Sequence, residues 1–357
     1  MLKSKCKEAF RKMRKNSILL FAIIMLFSII LAGCGGGDKK AASPAAPAAG
    51  GKKLIIYTSM KESLIGGIVE GFKKQNPGIE VDYQSAGAGK LMAKIAAERQ
   101  SGKILADIIW TSEVPDFYNM KKEGILEQYK TPLLKEILNP FEDYDGYFTA
   151  ARLGTLGIAI NTDKIKTPPT QWSDLFKPEY KKAFGIADPA LSGTAYMSVA
   201  LLEKQFGWEF FDKLHANQAR IGKGSGQVVD DTASGELAAS LAVDYITYDK
   251  IKKGAHIALY YPPELLIAPS PVAIFKGGPN VDAAKKFVDY LLGKEAQTLI
   301  ANEGTLSVRP DVKAPEKLKL PDSADALKRS IKIDYVKMMA SKEATIKKFT
   351  DTLQGKK

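Results

Sequence analysis

From Leu54 onward, short apolar runs alternate with amphipathic ones, and this alternation leaves few folds open to the chain. Leu54-Ile55-Ile56-Tyr57 reads as a strand, followed by a helical face of Leu64, Ile65, Ile68, Val69 and Phe72 that stops before Asn76-Pro77-Gly78. Residues 79–83 give a second strand, 91–98 a second helix, 106–110 a third strand and 115–122 a third helix closed by Gly124. Strands alternating with helices build a mainly parallel, doubly wound sheet. Around residues 153–161 the chain turns apolar and Gly-rich, and a second β-α set begins. Residues 266–275, with Pro269 and Pro271, read as a long connecting strand, and an amphipathic helix over 335–353 closes the chain. Two apolar crossings around one complete β-α unit predict two lobes, each a doubly wound sheet, joined by two strands with a cleft between them.

The N-terminus does not belong to that pattern. Seven basic residues and Glu8 precede an apolar run of 14 residues, Ile18 to Leu31. A membrane-spanning helix needs about 20 such residues, so the run suits the core of an export signal. Residues 35–53 hold no large apolar side chain and read as a flexible tether. The expected organisation is a signal over 1–33, a tether over 34–53, one lobe from 54–153 with 270–312, a second from 154–269, and a C-terminal helical segment over 313–357 of unassigned lobe.

Charge and side-chain inventory narrow the function. The chain carries 52 basic and 40 acidic residues, and removing the leader leaves +6, short of a nucleic-acid footprint. Cys6 lies in the leader, so Cys34 is the only cysteine beyond it. The exported part therefore offers no disulfide and no thiol nucleophile. With only His215 and His256, histidine-based metal or triad chemistry has little to work with. A hydrolase on the same lobes would need a base beside a nucleophile, and no Gly-x-Ser-x-Gly elbow occurs. Ser85 to Leu91 imitates a phosphate-binding loop, but Gln84 stands where the first glycine belongs and Leu91 replaces the magnesium-binding hydroxyl.

In open α/β sheets, ligands sit beyond the carboxyl ends of the strands. There the chain places Thr58-Ser59, Ser85-Ala86-Gly87, Thr111-Ser112, Ser192-Gly193-Thr194 and Gly224-Ser225. Small hydroxyl and glycine turns at helix starts suit an anion. Hence Ser59, Ser85, Gly87, Ser112, Ser192, Gly193, Thr194 and Ser225 are the candidate ligand contacts. Asp244 and Glu264, at strand ends, are candidate acceptors for a ligand hydroxyl or amine, and Tyr245 a candidate wall. Strand-end acids facing water are the competing reading.

Several of these segments resemble a known family. Leu31-Ala32-Gly33-Cys34 resembles a bacterial lipobox, which implies cleavage before Cys34 and its acylation. Tyr57-Thr58-Ser59, Asp107-Ile108-Ile109-Trp110, Ser192-Gly193-Thr194-Ala195-Tyr196, Ser234-Gly235-Glu236 and Phe287-Val288-Asp289-Tyr290-Leu291 resemble the extracellular solute-binding proteins of ABC importers. The similar branch holds ferric-iron, thiamine, phosphonate and sugar-phosphate binders. The resemblance implies a two-lobed, hinged type II periplasmic-binding fold, no catalysis and no cofactor. It also implies a small-molecule ligand, permease and ATPase partners, and a monomer lipid-anchored on the outer face of the cell membrane. Iron members use two adjacent tyrosines where this chain has Tyr245-Ile246-Thr247-Tyr248, which leaves Tyr245, Tyr260 and Tyr261 as the alternative metal ligands. A phosphorylated or phosphonate ligand ranks first, ferric iron second, thiamine or its phosphates third.

Overall fold

The computed structural model describes residues 53–141, 145–332 and 334–356; the leader, Cys34 and most of the tether lie outside the described residues. Strand β1 (Lys53–Thr58) runs parallel to both its neighbours, β2 (Glu80–Ser85) and β3 (Ile108–Trp110). The connecting helices are α1 (Glu62–Gln75), α2 (Ala88–Gln100) and α3 (Val114–Lys122). The predicted apolar stripe of α1 is buried, with Glu62 in its first turn and Lys73 and Lys74 in its last, which complements the helix dipole. Asn76 ends the helix by bonding back to Phe72 O through its backbone N–H (2.9 Å) and side-chain amide (3.1 Å).

Strand β4 (Thr149–Asn161), all 13 residues buried, is the first crossing. The second lobe then repeats the pattern. It contains β5 (Phe184–Ala187), α4 (Gly193–Phe206), α5 (Glu209–Ala216), β6 (Arg220–Gly222), α6 (Ser225–Ser234), β7 (Ala239–Val243), α7 (Asp244–Lys252) and β8 (Ile257–Tyr260). Strand β9 (Leu266–Ile274) returns to the first lobe, where α8 (Val281–Leu292) and α9 (Lys294–Asn302) follow. The sheet runs β2-β1-β3-β9-β4-β7-β5-β6, with β8 also against β4. The expected parallel sets are there, β2-β1-β3 and β7-β5-β6, and an antiparallel seam of β9 and β4 fuses them into one continuous sheet.

The seam is irregular where it bends. Pairing shifts between Ala150 and Arg152, so Ala151 is an extra residue, and bulges of this kind bend a strand and re-aim its side chains. The displaced Ala151 carbonyl is satisfied by Gln297 Nε2 at 2.7 Å. The bulge turns Arg152, a charge in the middle of an apolar strand, toward the cleft.

The C-terminal segment contains α10 (Ser323–Arg329) and α11 (Tyr335–Leu353), and α11 belongs to neither lobe alone. Tyr335 packs on Phe141 of the first lobe at 5.9 Å, while Phe349 packs on Phe211 of the second at 5.4 Å. Tyr196 donates from α4 to Met338 O (2.6 Å). Lys342 reaches back to Glu113 and Asp116 at the start of α3. The helix is a clasp across both lobes.

Candidate functional site

The carboxyl ends of β1, β2, β3, β5, β6 and β7 face one cleft of about 310 Å³. Five helices start on it, with N-caps at Lys61, Gly87, Ser192, Gly224 and Val243. The first N–H groups of a helix have no partner within it, and the dipole adds partial positive charge, so five converging starts favour an anion. In the second lobe three hydroxyls lie at the starts of α4 and α6: Ser192 Oγ to Ser225 Oγ 2.7 Å, Thr194 Oγ1 to Ser225 Oγ 2.9 Å and Ser192 Oγ to Thr194 Oγ1 3.1 Å. Together they form a compact cradle for oxygen atoms.

The lobes meet at their turns. A Cβ on Gly87 would lie 2.5 Å from Leu191 O, and one on Gly89 2.3 Å from Ala190 O, so only glycine allows this approach. Tyr245 Oη, from the second lobe, accepts the Lys61 N–H of the first at 3.2 Å.

Of the residues singled out from sequence, Ser59, Ser85, Gly87, Ser112, Ser192, Gly193, Thr194, Ser225 and Tyr245 line this cleft. Within it Ser85 donates its hydroxyl to Met60 O (2.6 Å), and Ser112 bonds Ser270 Oγ (2.9 Å). Asp244 does not line it. That carboxylate, the first residue of α7, is fully buried beneath the floor. It accepts from Thr155 N (2.8 Å), Thr155 Oγ1 (3.0 Å), Thr305 Oγ1 (2.6 Å), Tyr245 N (2.7 Å) and Arg152 Nη1 (3.3 Å). With its oxygens already committed, it has no lone pair facing a ligand, and the expected acceptor role gives way to a structural one. Burial pushes its pKa up, against the pull of Arg152. Glu264 is also displaced from the cleft. It borders a separate recess with Phe176 and Phe210, and its carbonyl accepts from Trp172 Nε1 (3.0 Å). Among the three candidate metal ligands only Tyr245 reaches the cleft. Tyr260 sits on β8, and Tyr261 lies 3.0 Å from Thr155 Oγ1. Burial raises the pKa of both Tyr245 and Tyr261.

Sequence reasoning missed the cations. Lys61, Lys90, Lys223 and Arg152 all line the cleft. The three lysines make no ion pair among the described residues. Arg152 is 1% exposed and stacks at 4.7 Å over the Tyr245 ring. Its Nη2 donates to Ser112 Oγ at 3.3 Å, and its Nε is buried without a partner. A larger concavity of about 770 Å³ lies between the C-terminal segment and β9, but α11 alone begins there and Asp334 already caps it.

A two-lobed α/β chain with helix starts from both lobes aimed into one cleft is a ligand-enclosing protein of the type II periplasmic-binding class. The chain belongs to the bacterial extracellular solute-binding proteins, whose family model matches residues 103–337. An uncharacterized protein of Haemophilus influenzae is 29% identical over 292 residues, 75% of this chain and 83% of that one. A putative 2-aminoethylphosphonate-binding periplasmic protein of Salmonella typhimurium is 25% identical over 66% of this chain and 71% of its own length. The structure of the periplasmic binding protein AfuA from Actinobacillus pleuropneumoniae, with fructose-6-phosphate bound, superposes with a TM-score of 0.76 at 25% identity. It covers 85% of this chain and 99% of that one. No helix of the described residues is long and apolar enough to cross a membrane.

Proposed function

We propose that this chain captures a small organophosphate or phosphonate, such as a sugar phosphate, outside the cell membrane and delivers it to the permease of an ABC importer. The observation that carries the reading is the hydroxyl cradle of Ser192, Thr194 and Ser225 at two helix starts, faced by unpaired lysines. Phosphoryl oxygens there take hydrogen bonds from hydroxyls and from free backbone N–H groups, while the helix dipoles and lysines offset the charge. The names of the relatives point to the same chemistry. The chain binds and releases its ligand, with no chemical step assigned to it, and acts as a monomer. The two lobes, residues 54–153 with 270–312 and residues 154–269, close on the ligand by bending at β4 and β9, because one ligand bridges turns from both.

Thr194 is the cleaner probe of the cradle, because Ser192 also caps α4 by accepting from Ala195 N at 3.3 Å. A lost hydrogen bond to a charged group costs about 1.5–3 kcal/mol, so Thr194→Ala is expected to weaken binding about 10- to 150-fold. Calorimetry with sugar phosphates, phosphonates, ferric citrate and thiamine tests the reading. Tight ferric binding lost in Tyr245→Phe, with no heat from any phosphorylated ligand, refutes it.

The anchor is the acylated Cys34, with residues 35–53 as its tether. Globomycin and Cys34→Ser are each expected to leave a larger, unprocessed precursor. Unchanged size and unchanged membrane attachment under both treatments would remove the anchor from the proposal.

A further inference from the structure

Among the residues that line the cleft four are cationic, Lys61, Lys90, Lys223 and Arg152, and none is an aspartate or glutamate. Two carboxylates that adjoin the lining residues are already occupied. Asp244 lies beneath the floor with its oxygens held by Arg152, Thr155, Thr305 and the Tyr245 N–H. Glu113 sits behind the Gly193 turn, 2% exposed and bound to Lys342. The cations come from three places. Lys61 and Lys90 project from the first lobe, Lys223 from the second, and Arg152 from the crossing strand. Lys61 bridges them, since its Nζ is 3.1 Å from where a Cβ on Gly226 would stand, at the start of α6. In the closed arrangement the ammonium of one lobe therefore meets a helix start of the other.

Such a lining has a use for a phosphoryl group and none for an amine. An ammonium on the ligand would lose its water among three unpaired lysines and five positive helix ends, with no carboxylate lining the cleft to replace that water. A hydroxyl-bearing remainder meets no such opposition, and a second acid is attracted. We infer that the cleft selects phosphate- or phosphonate-bearing solutes whose remainder carries no cation, a polyol or a second acid, and turns aminoalkylphosphonates away. The inference rests on the phosphoryl reading above and narrows it, and it separates this chain from the relative named for 2-aminoethylphosphonate.

Calorimetry on the purified protein at neutral pH tests it with a matched pair, 2-aminoethylphosphonate and propylphosphonate, which differ by an ammonium against a methyl group, together with fructose 6-phosphate. Propylphosphonate and fructose 6-phosphate are expected to bind at least about tenfold more tightly than the amine. Lys61→Glu and Lys90→Glu each introduce a carboxylate at an exposed position of the lining, and at least one is expected to narrow that ratio. If the amine binds as tightly as propylphosphonate or more so, the inference is overturned while the phosphoryl reading stands. It is also overturned if the ratio is the same in both lysine variants as in the parent protein. If none of the three ligands binds, the phosphoryl reading itself falls and takes this inference with it.

Discussion

Arg152→Met is expected to destabilise the protein by about 3–5 kcal/mol at neutral pH, the range found when one partner of a buried ion pair is removed. Methionine keeps most of the length and apolar contact of the arginine stem, so the loss isolates the charge. What remains is the fully buried Asp244 carboxylate, whose sole cationic partner among the described residues is Arg152. Hydrogen bonds from Thr155, Thr305 and the Tyr245 N–H persist, but they do not replace a unit charge in a desolvated site. Burial already raises the Asp244 pKa, and losing the guanidinium raises it further. A carboxyl whose folded pKa lies above its unfolded one stabilises the fold in acid and loses that contribution as pH rises through the folded value. The defect is therefore expected to shrink toward pH 5 and to grow toward pH 8. Asp244→Asn placed on Arg152→Met is expected to recover part of the loss, because it removes the stranded charge. Urea titrations at the two pH values provide the check. A variant within about 1 kcal/mol of the parent, with no pH dependence, contradicts the account.

The second large effect is at the clasp. Among the described residues, Lys342 on α11 is the one cation serving two buried carboxylates, Glu113 and Asp116 at the start of α3. Burial first, and then the neighbouring Asp116, push Glu113 up to about 7, and burial raises Asp116 as well. Burial lowers the Lys342 pKa, but the two carboxylates outweigh it and hold the amine above its ordinary range. One ammonium cannot neutralise two carboxylates, so the cluster favours a retained proton. Glu113 therefore binds a proton in the folded state that it has lost in the unfolded state between about pH 4.5 and 7. The parent protein is expected to lose stability as pH rises across that window. Lys342→Met leaves both carboxylates without a cation and is expected to cost about 3–5 kcal/mol at pH 7, with a steeper fall from pH 5 to 8. Lys342 lies 5.7 Å from the centre of the Tyr196 ring of the second lobe, so the variant also loosens the clasp between lobes. Thermal midpoints across that pH range measure both effects. A flat profile in the parent, with an unaltered midpoint in Lys342→Met, rules the account out.

Much of this architecture was legible from the order of residues, because it follows from local periodicity. Helix α1 appears where a stripe from Leu64 to Phe72 meets Asn76-Pro77, and α11 spans the 335–353 predicted for it. The hydroxyl turns were equally readable, since strands ending in Ser59, Ser85 and Ser112, or turning through Ser192 and Ser225, put those residues at one sheet edge whatever the packing. Sequence shows only a strand end at Asp244 and not the start of helix α7, because β7 passes into the helix with no turn residue between Val243 and Asp244.

Asp244 and Arg152 carry the contrast furthest. A carboxylate at a strand end looks from sequence like a ligand acceptor, and an arginine inside an apolar run looks like an accident. Their pairing spans 92 residues and depends on a bulge at Ala151, so no local pattern announces it. Lys61, Lys90 and Lys223 were likewise indistinguishable from the other lysines until folding brought them to one cleft without acids. Periodicity determines which segments become strands and helices and which edge their turns occupy. Burial and charge pairing act between segments distant in the chain, so only the tertiary structure decides which charged groups are neutralised in the core and which are left facing a ligand.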